Sequence, residues 1–154
     1  MIIELNEKNI KDAAKVYMDS WKESHREICS AEFIEKHDID YMINFLKEKK
    51  EKGYVVFIDY IGEKPVGIVG INPSEEEICL LYVAPKEQRK GFGSELLAFA
   101  LEKCKNQYIT VLDTNKKAID FYSKRGFVPA EKQEENLTEK RIFERKYVYQ
   151  KDNM

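Results

Sequence analysis

The stretch QRKGFGSELL, residues 88–97, has the residue types of a loop that binds an anion. Gly91 and Gly93 lie two apart, and the absence of their Cβ atoms lets a charged group approach the backbone closely. Arg89 and Lys90 add mobile positive charge beside them. A loop that leads from a strand into a helix also presents unpaired N–H groups and the positive end of the helix dipole. The pattern therefore predicts a site for a pyrophosphate.

Two better-known phosphate loops do not match this stretch. The pattern G-x-x-x-x-G-K-[ST] is absent from the sequence, and Glu95 and Leu96 lie where the third glycine of G-x-G-x-x-G would be. A simpler interpretation, in which Gly91 and Gly93 only form a tight turn, stays open on their spacing alone. The basic residues beside the glycines, and the predicted strand and helix on either side, favour the anion site.

Length and composition limit the other classes of function. The 154 residues are 43% hydrophobic and 35% charged, as expected of one globular domain over residues 1–154. Lys and Arg number 26 against 28 Asp and Glu, and the net charge of −2 argues against a dedicated nucleic-acid-binding protein. No apolar run is long enough to span a membrane and no signal peptide is evident, so we expect a cytoplasmic protein. Three scattered cysteines and two histidines predict neither a disulfide framework nor a metal site.

Hydrophobic periodicity predicts a mixed α/β fold in which helices cover a sheet. The predicted order is strand, two helices, three strands, helix, strand, helix, strand, strand. The elements are a strand at 2–5, a helix with its apolar stripe at 10–21, a helix at 31–50 with a candidate break at His37 and Asp38, a hairpin at 54–71, a strand at 77–83, the helix after the glycine loop, a strand at 108–113, a helix capped by Asn115 and ended by Gly126, and a final strand that includes Phe143, Tyr147 and Tyr149 and pairs back across the polar loop at 131–140.

Two segments carry a resemblance to a known family. ICLLYVAPKEQRKGFGSELL resembles the signature of the GNAT superfamily of acyl-CoA-dependent N-acetyltransferases, a strand followed by [Gln/Arg]-x-x-Gly-x-[Gly/Ala] and a helix. Gln88, Gly91 and Gly93 occupy the defined positions. DTNKKAIDFYSKRGF, residues 113–127, is similar to a second family segment, with an asparagine after a strand, a helix that carries Ala and Phe-Tyr, and a terminal Gly-Phe.

The resemblance implies a fold and a cofactor. The expected fold has a central, largely antiparallel sheet with one parallel pair at the CoA site and helices on both faces. Acetyl-CoA is the expected co-substrate, and no metal is implied. Its pantetheine arm would pair with the backbone of Leu81, Tyr82 and Val83 like an extra strand. Asn115 would hydrogen-bond this arm. The signature loop would hold the pyrophosphate through Gln88, Arg89, Lys90, Gly91, Phe92, Gly93 and Ser94.

The same resemblance implies that Tyr122 is the acid that protonates the departing thiolate. The spacing agrees, because Asn115 and Tyr122 are seven residues apart, two helical turns, and Ala118 lies between them on the same face. Each residue has a simpler interpretation. Asn115 could be only a helix cap, and Tyr122 could be only a core aromatic.

The base that deprotonates the amine is harder to assign. Glu77 matches the position at which several members of the family carry a catalytic glutamate, although the run SEEEI around it is also typical of a solvated turn. Other members take the base from the following strand, five residues before the asparagine. That position is Thr110 here, which argues against an N-terminal-amine acetyltransferase of the ribosomal type.

The first helical region lines the acceptor side in this superfamily, and SWKESHREICSAEFIEK, residues 20–36, is loosely similar to it. Trp21 falls on the apolar stripe and is expected in the core. Ser24 and His25 lie one turn further on, where His25 either contacts the acceptor or is an exposed histidine at the helix end.

The resemblance implies an N-acetyltransferase that transfers the acetyl group directly to a primary amine of a small molecule or peptide. Cys79 lies next to no obvious base, so a covalent intermediate is not expected. Two alternatives stay open: a catalytically silent CoA-binding sensor, and a generic phosphate- or nucleotide-binding domain. The assembly would be a monomer or a homodimer.

Overall fold

The structure is a computed structural model that describes residues 1–103, 107–135 and 143–150. Its strands and helices follow the predicted order, except that the second predicted helix is two helices. The elements are β1 Ile2–Glu4, α1 Ile10–His25, α2 Ala31–Glu35, α3 Ile39–Glu51, β2 Val55–Ile61, β3 Lys64–Asn72, β4 Glu77–Val83, α4 Phe92–Lys103, β5 Tyr108–Leu112, α5 Lys116–Ser123, β6 Phe127–Glu135 and β7 Phe143–Tyr149, with a 3₁₀ turn at Pro85–Glu87 between β4 and α4.

The strands form one sheet in the order β1-β2-β3-β4-β5-β7-β6. Every neighbouring pair is antiparallel except β4 and β5, which are parallel. The predicted sheet, largely antiparallel with one parallel pair, is therefore confirmed.

The parallel pair separates soon after it begins. β4 and β5 are paired only at Glu77 and Tyr108, after which β4 stays with β3 and β5 stays with β7. Within the described residues, the edge of β4 that faces β5 has no strand partner from Cys79 to Val83. The sheet is consequently open at its centre, along the second half of β4.

A β-bulge lies in β4 at the start of this opening. Leu80 pairs with Gly70 and Ile78 pairs with Ile71, so Cys79 is an extra residue on the β4 side. The extra residue changes the side-chain alternation, and Ile78 and Leu80 consequently belong to cores on opposite faces of the sheet.

Helices cover both faces of the sheet, as predicted. One core packs α1 and α3 against β2, β3 and β4, with Tyr17, Trp21, Met42 and Leu46 among its buried residues. The other core packs α4 and α5 against β3, β4, β5 and β7. Its buried residues include Leu96, Leu97, Ala100, Tyr122 and Phe127.

The predicted helix at 31–50 breaks at His37 and Asp38, the candidate break. The Asp38 side chain accepts a hydrogen bond of 2.9 Å from the Tyr41 backbone N–H, and therefore caps α3 as a separate helix. The apolar spacing of residues 31–50 predicts Tyr41 on the inner face of the helix, but its side chain is 43% exposed, since it lies in the first turn of α3 at the edge of the core.

The final hairpin is longer than predicted. The polar segment from residue 131 was expected to be a loop, but β6 extends to Glu135 and pairs there with Phe143 of β7. Antiparallel pairing is made by backbone groups, so a polar sequence does not prevent it. The rest of the predicted loop lies outside the described residues. The alternation of the last strand predicts Phe143 and Tyr147 on one face, but Phe143 is 44% exposed while Tyr147 is buried.

Candidate active site

The open edge of β4 includes the three residues predicted to bind an extended ligand. Leu81, Tyr82 and Val83 lie where β5 has already diverged. The Val83 carbonyl accepts hydrogen bonds from Ser20 Oγ at 2.9 Å and from Gln88 Nε2 at 3.2 Å. Gln88, predicted in the cofactor loop, therefore anchors the start of that loop to the end of β4. The hydroxyl of Ser20 at this carbonyl was not predicted.

The signature loop presents a continuous run of backbone donors. α4 begins where the Glu95 N–H donates to the Gly91 carbonyl at 3.1 Å. The backbone N–H groups of residues 89–94 have no acceptor within the described part of the chain. Arg89 and Gly91 have φ values of 65° and 93°, which let the loop turn sharply ahead of the helix. The geometry suits an anion at this end of α4.

The two loop glycines have different surroundings. A Cβ on Gly91 would meet no described protein atom within 4 Å, so within the protein it is the positive φ that favours glycine there. A Cβ on Gly93 would lie 3.3 Å from two ring carbons of Phe121. We expected both glycines to clear space for a phosphate. Gly93 also lets the Phe121 ring of α5 approach α4, and its role beside a phosphate stays a prediction.

A buried carboxylate organises the cations near the loop. Glu87 is 7% exposed and forms ion pairs with Lys64 of the β2–β3 hairpin and, at 3.1 Å, with Lys90. Hydrogen bonds from Lys64 and Lys90 lower the pKa of Glu87 below the usual range. Lys90, predicted as a mobile cation, is held at the loop by this pairing. The only sign of this pairing in the sequence is that Glu87 is the one acidic residue within the basic run KEQRK.

A second cation, Arg125, reaches the loop from the end of α5. Its Nε and Nη2 atoms donate to Ser94 Oγ at 3.0 and 2.8 Å, and Nη1 donates to the Phe121 carbonyl at 2.9 Å. The guanidinium carbon lies 3.8 Å from the centroid of the Phe121 ring. This contact between α4 and α5 was not predicted, although the spacing of four between Phe121 and Arg125 permits it.

Tyr122 lies in the core that α4 and α5 form with the sheet, and it is 5% exposed. Its ring packs edge-to-face on Phe121 and Phe127, with centroids 5.1 and 5.4 Å away. Burial, and then the neighbouring Tyr82 phenol, raise the pKa of Tyr122 far above the ordinary tyrosine value. The hydroxyl is therefore protonated at neutral pH, and it has no hydrogen-bond partner among the described residues.

Asn115 is the N-cap of α5. Its Oδ1 accepts a hydrogen bond of 3.2 Å from the Ala118 backbone N–H, which confirms the capping interpretation. Within the described chain its Nδ2 donates to no protein group, so the same side chain retains a donor for a ligand.

Glu77 lies at the other end of β4, where the parallel pair is closed. Burial, the largest cause, raises the pKa of this half-buried carboxyl above the ordinary glutamate value. The Lys49 and Lys146 ammonium groups lower this pKa, while Glu75 and Glu144 raise it. A carboxylate with a raised pKa is a stronger base than an exposed glutamate.

Tyrosine rings support the charged groups around Glu77. Lys49 Nζ lies 4.4 Å from the centroid of the Tyr54 ring, and Lys146 Nζ lies 4.5 Å from that of Tyr108. The Tyr108 hydroxyl donates to Glu75 at 3.4 Å. Glu77 is thus part of a mixed charged and aromatic cluster built from four regions of the chain, rather than a residue of a solvated turn.

Cys79 is next to Glu77 along the same edge, but it is not activated. Burial raises the pKa of its thiol to about 12, and the Glu77 charge acts in the same direction. Very little reactive thiolate is therefore present at neutral pH.

The end of α1 carries an aromatic stack. The Trp21 indole lies between the rings of His25 and His37, with centroids 4.2 and 3.9 Å away. His25 Nδ1 contacts the Trp21 carbonyl at 2.9 Å and Ser24 Oγ at 2.8 Å. Burial lowers the pKa of His25 below its ordinary value. His25 is therefore a packed residue, not an exposed one. The stacking of His37 on Trp21 was not predicted, because Trp21 lies on α1, a separate helix.

In residues 1–103, 107–135 and 143–150, no group of three or more His, Cys, Asp or Glu side chains is placed to hold a metal ion. No helix in that part of the chain is long and apolar enough to cross a membrane.

Known proteins resemble the chain in sequence and in fold. The Acetyltransferase (GNAT) family model matches residues 13–127. The uncharacterized N-acetyltransferase YuaI of Bacillus subtilis is 31% identical over 101 residues, which span 61% of this chain and 58% of that protein. The PaiA N-acetyltransferase of Thermoplasma acidophilum, in complex with coenzyme A, superposes with a TM-score of 0.74 at 22% identity, covering 97% of this chain and 98% of that one. YncA of Salmonella typhimurium, with its cofactor acetyl-CoA, superposes with a TM-score of 0.69 at 15% identity, covering 100% of this chain and 95% of that one.

Proposed function

The chain belongs to the GNAT acetyltransferase family, and from that premise we propose that it transfers an acetyl group from acetyl-CoA to a primary amine of a small molecule or peptide. The observation that carries the proposal is the continuity of the site. Within the described residues, an unpaired strand edge leads through a short 3₁₀ turn into a loop of unpaired N–H groups. The ligand would match this order: an extended pantetheine arm can pair with the strand edge, and the pyrophosphate that follows it can accept hydrogen bonds from the loop.

Acetyl-CoA would bind mainly through backbone groups. Its pantetheine arm would add to the open edge of β4 at residues 81–83, where hydrogen bonds to the main chain replace those of a strand. The Asn115 Nδ2 donor would assist from α5. The pyrophosphate would accept from the N–H groups of residues 89–94, with Gln88 and Lys90 holding the loop in place.

Transfer would need a base, an electrophile and an acid. An alkylammonium acceptor first loses a proton to Glu77, directly or through water. The amine nitrogen then attacks the thioester carbonyl and a C–N bond forms. As the tetrahedral intermediate collapses, the nitrogen gives its second proton to solvent and the C–S bond breaks; solvent also returns to Tyr122 any proton that its hydroxyl passes to the sulfur. The CoA sulfur leaves with the electron pair, and the Tyr122 hydroxyl donates the proton or a hydrogen bond to it.

The state of Cys79 supports direct transfer in a ternary complex. An acyl-cysteine intermediate would require the thiolate, and a pKa of about 12 keeps the thiol protonated at neutral pH. We propose one domain over residues 1–154 that acts in the cytoplasm, without a metal, as a monomer or a homodimer.

The test combines binding and turnover on the same preparation. CoA, acetyl-CoA and ATP are compared by thermal shift, and thiol release from acetyl-CoA is then followed over a panel of primary amines. We expect stabilisation by CoA but not by ATP, and thiol release with at least one amine. Equal stabilisation by ATP would indicate a generic nucleotide site. CoA binding without turnover of any amine would indicate the silent sensor.

A further inference from the structure

Arg125 is held in one position by contacts on three sides. Its guanidinium donates twice to Ser94 Oγ and once to the Phe121 carbonyl, and it lies flat over the Phe121 ring. Gly93 makes this possible, because a side chain there would meet the same ring. Three residues of α4 and α5, namely Gly93, Ser94 and Phe121, therefore place this one cation.

This cation has no charge partner, unlike its neighbour along the chain. Lys124 pairs with Asp120 at 3.0 Å, whereas Arg125 forms no ion pair with any carboxylate in the described residues. Ser94 lies in the first turn of α4, where the helix dipole is already positive. The exposed guanidinium and the positive end of the helix dipole therefore lie together, where both attract an anion from solvent.

The guanidinium retains donors for such an anion. Arginine has five N–H groups, and three of them are used by Ser94 and Phe121. Two therefore remain, and the planar group is already ordered, so little conformational entropy is lost on binding.

We propose that Arg125 binds a phosphate group of acyl-CoA at the first turn of α4. The inference rests on the proposed function and adds a residue to its cofactor site. The shared chemistry is a phosphate oxygen that accepts from the guanidinium, and either the pyrophosphate or the 3′-phosphate can supply it. The competing explanation is a staple that only joins α5 to α4.

The experiment measures the Kd of CoA and of dephospho-CoA, which lacks the 3′-phosphate, for the wild type, Arg125→Gln and Arg125→Lys. Lys124→Gln is the matched control, because it removes the same charge from the next position and its cation is paired away from the loop. Melting temperatures without ligand are recorded for every variant, and Kd is measured at two salt concentrations.

We expect Arg125→Gln to weaken CoA binding roughly 10- to 100-fold, as the loss of charge-assisted hydrogen bonds implies. Arg125→Lys keeps the charge, so its affinity for CoA should lie between those of the wild type and Arg125→Gln. Binding to Arg125→Gln should also depend less on salt than binding to the wild type. If Arg125→Gln loses affinity for CoA but not for dephospho-CoA, Arg125 binds the 3′-phosphate. If it loses affinity equally for both ligands, Arg125 binds the pyrophosphate.

Wild-type affinity and salt dependence in Arg125→Gln, or a loss no larger than in Lys124→Gln, would overturn the inference and leave a staple. If Arg125→Gln does not fold, the Kd of CoA for Arg125→Lys is compared with that for Lys124→Gln instead, and a loss of affinity no larger than in Lys124→Gln would again overturn the inference. Failure of the wild type to bind CoA would instead overturn the proposed function, so the two failures are distinguishable.

Discussion

The two ends of β4 differ in what they offer to a ligand. At its start, Glu77 lies among charged and aromatic side chains from several elements, and its pKa depends on all of them. At its end, the groups that face the opening are backbone N–H groups and carbonyls, supported by cations that Glu87 and Ser94 hold in place. The first end is therefore suited to moving a proton and the second to holding a ligand. Substitutions at the two ends should affect turnover and binding separately.

The largest effect is expected at the start of the strand. Glu77→Gln removes the base and keeps the shape, so kcat should fall roughly 10²- to 10⁴-fold at neutral pH while the Kd of acetyl-CoA changes little. The measurement is kcat over pH together with Kd on the same preparation. Partial recovery at high pH is expected, because more of the amine is already neutral there.

The pH dependence has a defined sign. The pKa of Glu77 is raised in the folded protein, and the base must be ionised, so the wild-type rate should fall as pH falls through a value above the ordinary glutamate pKa of about 4.3. This fall in rate at low pH should be absent from Glu77→Gln. A variant with the wild-type rate and profile would show that Glu77 is not the base and would leave a water chain as the candidate.

Local chemistry made part of this molecule predictable. The bounds of β4 follow from its apolar run and the proline after it, and Asn115 caps α5 through contacts within four residues. Contacts between distant segments were not predictable. Glu87 pairs with Lys64, 23 residues away, and Arg125 contacts Ser94 across 31 residues. Periodicity reports which face of an element is apolar, but not which other element covers it.

A smaller effect on turnover is expected for Tyr122→Phe, which removes only the hydroxyl. The raised pKa makes this phenol a weak acid, and the CoA thiol is already a fair leaving group, so kcat should fall roughly 10- to 10²-fold. The fold should survive because ring packing on Phe121 and Phe127 is kept. The binding free energy of acetyl-CoA, obtained from its Kd, should change by less than about 1 kcal/mol. Unchanged kcat on a folded variant would reduce Tyr122 to a packing residue.

The smallest effects come from the two loop glycines, and they should differ in kind. Gly91→Ala places a side chain at a φ of 93°, a conformation that costs a non-glycine residue about 1–2 kcal/mol. The loop would relax and move its N–H groups, so acetyl-CoA should bind up to about 10-fold more weakly. Gly93→Ala has no such conformational cost, and its methyl group points at the Phe121 ring 3.3 Å away. It should lower the melting temperature and change Kd only a few-fold.

A double variant separates packing from binding at Gly93. If the methyl group acts only by crowding the ring, Gly93→Ala combined with Phe121→Leu should lose less stability than the sum of the two single variants, because the smaller side chain leaves room for it. Melting temperatures of the four proteins measure this coupling, and Kd is recorded for each. Additive losses of stability, together with a Kd as weak as that of Gly91→Ala, would show that Gly93 clears space for the phosphate after all. Both glycines would then belong to the binding end of β4, and the packing role inferred for one of them would be wrong.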